Sequence, residues 1–358
     1  MSERGGWSLR VLAALAVVGA LYVGRDILAP FALAVVAAAA LRPLVRRFEG
    51  WRIPAPVSAA VLVLGGVTLV VFLGVALADP VAEWASKTPA ATAAVNRSLH
   101  SVRERLAELG WRMGPSTAAE RQATPPEGLA GELVGQAVTG TVKAPALAPF
   151  IRRAFPTTTA VVVGILEFLV FLGFMLAAGG AWGLRLKEAA GTYAEGERLM
   201  KLADEIREAV AHYLLVTVAV NVVQGVVVAL VLWMIGMPAP LLWGIATAVA
   251  EFLPYIGGFM MMVLLALAGL VSAPDLRLAI LAPACYLLIT TIQNNVAPPL
   301  LFGRGLKLNP VAILLAVVLW WALWGVAGAF LAIPFLAAAR LVAEYHPPLR
   351  PLAAFLQG

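Results

Sequence analysis

The chain has 358 residues, 61% of them apolar and 13% charged, with 26 Lys and Arg against 20 Asp and Glu for a formal net charge of +6. This excludes an ordinary water-soluble domain, whose hydrated surface takes about a quarter of the residues as charges, and makes lipid the solvent for most of the chain. The single cysteine, Cys285, excludes an internal disulfide and a cysteine-built metal cluster, and the basic excess reads as a membrane-topology signal before it reads as nucleic-acid binding.

A hydrocarbon slab of about 30 Å takes roughly 20 apolar residues per helix, and about eight stretches meet that measure. They are Leu9 to Gly24, Ile27 to Leu41, Pro56 to Ala78, Thr157 to Ala178, His212 to Ile235, Leu241 to Val271, Leu276 to Val296 and Pro310 to Ala339. The predicted fold class is therefore all-α, a polytopic integral membrane protein. Arg4 and Arg10 ahead of Val11 to Val23 imitate a secretory signal, but no small-x-small cleavage site follows and the next apolar stretch begins at Ile27. Only Arg25 and Asp26 part the first two stretches, which allows a kinked pair.

The organisation predicted is three spans in 1–78, an extramembrane segment in 79–155, and five spans in 156–358 with a cytoplasmic interfacial helix within 185–211. Arg42, Arg46, Arg47 and Arg52 against the one acid Glu49 mark the segment 42–52 as cytoplasmic. Counting from it puts both termini inside. It also puts 303–307 outside despite Arg304 and Lys307, a conflict that disappears if part of Leu241 to Val271 is re-entrant. In the extramembrane segment Val95, Leu99, Val102, Leu106 and Leu109 recur at helical spacing, an amphipathic helix that rests on the membrane domain or lipid surface, or packs between subunits. Gly114 to Gly131 follows as a flexible loop. A second amphipathic helix, Glu195 to Ala211, carries Leu199, Leu202, Ile206 and Val210 on one face and runs into the fifth span.

An ionisable group in hydrocarbon is costly unless it is neutral, paired or facing water, so acids inside spans are candidates for function. Glu167 lies in the fourth span and Glu251 in the sixth; each could carry a proton and release it when water or a cation arrives, or could serve as packing glue between helices. A continuous helix from Leu241 to Val271 would be roughly 46 Å long, so something interrupts it. Pro254, Tyr255, Gly257 and Gly258 supply the interruption, and broken membrane helices are tolerated where protein, water or solute satisfies the freed backbone. On the fifth span Tyr213, Thr217, Asn221 and Gln224 form one polar stripe, explained by a solute path or by helix-helix hydrogen bonds. Gln293, Asn294 and Asn295 close the seventh span and either cap it against water or line a polar pathway.

No phosphate-binding Gly-rich loop occurs, the three histidines show no metal spacing, and no nucleophile stands with a base. The expectation is a non-enzyme without cofactor or metal.

Several motifs resemble the AI-2E family of transporters. They are Arg42-Pro43-Leu44-Val45, Gly236-Met237-Pro238 with Leu242-Trp243-Gly244, Phe252 to Gly257, Asn295 to Pro298 with Gly303-Arg304, and Leu308-Asn309-Pro310 followed by Trp324-Gly325, Gly328 and Pro334. The resemblance covers most of the chain and is weakest from about Ala82 to Phe155. It implies an eight-span inner-membrane permease, commonly homo-oligomeric, whose best-known members export autoinducer-2, a quorum-sensing signal; others are linked to sodium or proton exchange. This chain departs from the family where relatives often carry Asn at Glu251, an acid at Gln293 and proline at Gly258. The expected function is export of a small polar organic solute, coupled to protons. A monovalent cation/proton antiporter and a non-transporting scaffold built on 79–153 are the rivals.

Overall fold

The structure, a computed structural model, describes residues 2–86, 158–178, 192–272, 277–297 and 308–357. In these, the chain forms α1 (Ser2–Val23), α2 (Arg25–Gly50), α3 (Ala55–Ser86), α4 (Thr158–Ala178), α5 (Tyr193–Met234), α6 (Pro240–Ala250), α7 (Ile256–Ser272), α8 (Arg277–Ala297) and α9 (Pro310–Tyr345). A 3-10 turn at Pro347–Leu349 then leads into α10 (Arg350–Leu356). Helices α2, α3, α5, α8 and α9 are long and apolar enough to cross a membrane, and α4, α6 and α7 are shorter apolar helices. The chain is an all-α polytopic membrane protein, as its composition predicts. The amphipathic helix expected over 95–109, the loop over 114–131 and the basic loop at 303–307 lie outside the described residues.

Helices α1 and α2 part only at Gly24, and helical hydrogen bonding continues through the joint: Gly24 N donates to the Ala20 carbonyl and Leu28 N to the Gly24 carbonyl, both at 2.9 Å. Helix α2 runs on to Gly50, so Arg42, Arg46 and Arg47 ride on its last turns, with Arg42 3.8 Å from Glu49. Against α2 pack α3 and α4, joined by Ala34, Val45, Ala59, Leu172 and Leu176. The rest of α3 faces outward, with Leu64, Phe72 and Val75 exposed where lipid takes the place of water.

Helix α5 starts on a capping box, in which the Thr192 hydroxyl accepts from Glu195 N at 3.3 Å and donates to the Glu195 carboxylate at 3.0 Å. Its 42 residues reach about 63 Å, twice the hydrocarbon thickness. The predicted amphipathic segment and the fifth span are thus one helix. Leu202, Val210 and Leu214 of its first half are buried, the last two in a cluster with Val36 of α2, so the amphipathic face rests on the molecule's own membrane domain.

Two sharp reversals organise the remainder. Helix α6 has 11 residues, about 16 Å, too short to cross. The chain turns through Glu251 to Tyr255, with Tyr255 at φ +64°, and doubles back so that Gly257 presses on the Ala250 carbonyl. Only a residue without Cβ fits there. Helix α7 then pairs with α8 in the opposite sense, Gly258 beside Tyr286 and Gly269 against Leu278 and Ala279. The stretch read as the eighth span reverses too. Gly325 adopts φ +62° and ψ −138°, a conformation that glycine tolerates and other residues resist, and Gly328 packs on the Trp320 carbonyl. Trp320 and Phe335 meet at 4.5 Å between ring centroids, although a straight helix would separate them by about 22 Å. The two limbs of α9 are therefore a hairpin, which Ala312 and Ala316 on one side and Ala329 and Ala332 on the other let close tightly. Helix α10 ties its open end: Asn309 N donates to the Leu356 carbonyl at 3.1 Å, and Gln357 reaches Glu344 at 2.9 Å.

Candidate functional site

The tips of the two hairpins meet. Phe252 and Phe330 lie 5.2 Å apart, and Leu253 and Ile256 pack against the buried cluster of the α9 hairpin. What surrounds this junction follows from how α5 and α6 approach. A Cβ on Gly225 would stand 2.6 Å from the Gly244 carbonyl oxygen, and one on Gly244 would stand 2.5 Å from that of Gly225. Small residues let the two backbones touch, as is usual where membrane helices pack closely. The side chain one residue before Gly225 is then delivered to the end of α6.

That side chain is Gln224. Its Nε2 donates to Glu251 Oε1 at 3.1 Å and to Thr290 Oγ1 of α8 at 3.0 Å. From one turn earlier on α8, the Tyr286 hydroxyl donates to the same carboxylate oxygen at 2.5 Å. Gly258 lies against this group: a Cβ there would stand 3.6 Å from Glu251 Oε1 and 3.5 Å from the Tyr286 oxygen, in ordinary contact. The junction thus holds one carboxylate, two donors fixed on one of its oxygens, and unfilled polar capacity nearby. Asn221, one turn before Gln224, is 3% exposed, and Thr247, one turn before Glu251, is fully buried. Asn221 Nδ2, Gln224 Oε1 and Thr247 Oγ1 are buried without a hydrogen-bond partner. Buried polar atoms in a membrane interior are ordinarily satisfied, so these three are candidates for contact with a further group.

The predicted site residues fall into two groups. Glu251, Gln224, Asn221, Pro254, Gly257 and Gly258 gather at the first reversal, with Tyr255 exposed on its outer side. Glu167 stands apart, on α4 beside Phe168 and Phe171, which pack against α2 and α3. Gln293 is partly buried with its Oε1 unpartnered, Asn294 is exposed, and exposed Asn295 donates to the Thr291 carbonyl of its own helix at 2.8 Å. Tyr286 and Thr247 were not selected from the sequence, and Thr290 was counted only in the polar cluster that closes the seventh span. The spacing of Tyr286 and Thr290, one helical turn apart, was the available signal.

An apolar pocket between the limbs of α9 and α10 is lined by Leu315, Trp320, Phe335 and Phe355 among others, without an ionisable side chain. It offers shape but no chemistry, and the polar junction is the stronger candidate. Among the described residues no three His, Cys, Asp or Glu side chains gather as a metal set.

Comparison with known proteins points to a family of membrane transporters. The sequence model of the AI-2E family transporter matches residues 11–345. A putative transport protein of Borreliella burgdorferi is 23% identical over 59% of this chain and 58% of its own length. The Bacillus subtilis putative transport protein YrrI is 27% identical over 38% of each chain. The AI-2 transport protein TqsA of Escherichia coli K12 is 22% identical over 89% of this chain and 86% of its own. The chain thus spans about half the length of the first two relatives and most of the third.

Proposed function

The chain belongs to the AI-2E transporter family, and from that premise we propose that it exports a small polar organic solute through the junction of its two hairpins, coupled to a proton carried by Glu251. The observation that carries this reading is the Gln224–Glu251–Tyr286 constellation, a carboxylate held at a helix break beside unsatisfied polar atoms. A carboxyl group inside hydrocarbon is most cheaply kept protonated, and it becomes worth ionising only when water or a solute arrives. Broken helices at such depth are how carriers satisfy a passing polar group. The name of the E. coli relative makes autoinducer-2 the first solute to try.

In this reading the Arg-rich end of α2 is cytoplasmic. Helices α3, α4 and α5 then cross in turn, and the α6–α7 hairpin enters and leaves on the outer side. Helix α8 returns to the cytoplasm, so Arg304, Lys307 and the C-terminus lie inside and the conflict found by counting spans is removed. The membrane is the bacterial inner membrane, and the working unit is a homo-oligomer, which native mass spectrometry in detergent would count.

The test is flux from reconstituted vesicles. Vesicles loaded with autoinducer-2 should empty faster than protein-free ones, with a pH dependence that Glu251→Gln abolishes while the protein stays folded. An unchanged pH profile in the variant refutes coupling at Glu251. Proton release on adding sodium or lithium, without autoinducer-2 flux, would favour the cation/proton antiporter instead.

A further inference from the structure

The chemistry left over at the junction narrows what passes there, given the reading of Glu251 as part of the solute path. Gln224 is not free to turn over. Its Nε2 faces the Glu251 carboxylate, which accepts hydrogen bonds only from a donor, so the amide nitrogen is fixed there and the amide oxygen faces away from that bond. Gln224 is 3% exposed, and its Oε1 is buried without a partner. Both hydrogen bonds that reach Glu251 among the described residues end on its Oε1, which leaves Oε2 without a protein partner. Two acceptor oxygens on adjoining side chains are therefore unused, one of them on an acid. Asn221 has no bond that pins its amide, so its Nδ2 and Oδ1 are interchangeable and it can present a third acceptor.

The charge balance points the same way. No Lys, Arg or His occurs between Tyr213 and Ser272, between Leu278 and Ala297, or between Pro310 and Ala339, and Glu251 is the sole Asp or Glu in those stretches. Of the elements packed around Glu251, α5 presents Gln224, α7 presents Gly258, α8 presents Tyr286, and the α9 tip presents Phe330. Tyr286 is the only other titratable group in that set. An anionic solute would meet an uncompensated carboxylate here. A solute with N–H donors and a positive charge would meet two vacant oxygens and a counter-charge.

We propose that the junction binds a small organic cation bearing N–H groups, a protonated amine or a guanidinium, between Glu251 Oε2 and Gln224 Oε1. A proton on Oε2 and a bound cation compete for the same oxygen, so the two exclude each other and the site exchanges one for the other. A bare metal ion takes about six oxygen ligands, and with Glu251 Oε1 occupied by the Gln224 and Tyr286 hydrogens the junction offers it too few.

The test uses the full chain in vesicles and a hydrophobic carbodiimide, which modifies protonated carboxyl groups within membranes. Modification at Glu251 is followed by peptide mass spectrometry, with Glu167 in the same molecule as the control for general loss of reagent. Guanidinium chloride should slow modification of Glu251 several-fold and leave Glu167 unaffected. Tetramethylammonium, which has the charge without donors, urea, which has donors without the charge, and sodium should each leave Glu251 unprotected. In Gln224→Leu the carboxyl should still react, but guanidinium should no longer protect it. Equal protection by tetramethylammonium or sodium, or none by guanidinium while Glu251 reacts, overturns the inference and leaves the solute path standing. If Glu251 never reacts while Glu167 does, the path itself fails, and the inference with it.

Discussion

Both halves of the molecule are apolar, yet they spend that apolarity differently. Helix α3 fully buries no residue of its most apolar window, whereas α5 to α8 bury Val228, Leu232, Met261, Leu265 and Ala282 in one cluster. The acids inside the two halves differ in the same way. Glu167, on α4, has no hydrogen bond or ion pair among the described residues, while Glu251 is gripped from α5 and α8 at once. A carboxyl group alone in a span is merely tolerated; one that two other helices reach is fixed in position, as the proposed path requires. Hydropathy finds a membrane segment, and packing separates a lipid-facing helix from one that holds a polar group in place.

The comparison breaks most visibly at the glycines. Gly257→Val and Gly328→Val would drive a side chain into the Ala250 and Trp320 carbonyls, with an expected loss of about 4 kcal/mol or more and little folded protein on size-exclusion chromatography. Gly74→Val on α3, where a Cβ meets nothing within 4 Å, should shift the thermal midpoint in detergent hardly at all. Next come the acids, expected to differ in sign. Glu251→Leu strands the donors of Gln224 and Tyr286 and should destabilise by about 1–3 kcal/mol, whereas Glu167→Leu removes a lone polar group and should be neutral or stabilising. If both lower the thermal midpoint alike, the distinction between the halves fails. The smallest effect belongs to Tyr286→Phe, about 1 kcal/mol for one lost hydrogen bond. Combined with Glu251→Gln it should be less than additive, because the two share that bond.

Much of this was legible before any coordinates. The apolar stretches announce the helices, and the run from Glu251 to Gly258 announces an interruption because proline and glycine cannot continue a helix so long. Gln224 stood out as polar on an apolar face. Tyr286 did not, since it is an ordinary single polar residue in a helix whose partner is 35 residues away, and Thr290 counted only as the start of the polar cluster closing its span, its partner lying 66 residues away. The reversal in α9 was hidden for another reason. Hydropathy is blind to direction, so a hairpin of two apolar limbs reads the same as one long span. Gly325 and Gly328 were visible as family-like residues, but their role appears only when Trp320 is found beside Phe335.

Access of water or solute to the Glu251 junction is what the proposed path requires. It is tested most directly by substituted-cysteine labelling in vesicles, starting from Cys285→Ala. Thr290→Cys, beside Gln224, should react with a small water-soluble thiol reagent, while Leu166→Cys, exposed on α4, should stay unreactive. An inert Thr290→Cys, or equal reaction at both positions, would contradict the account.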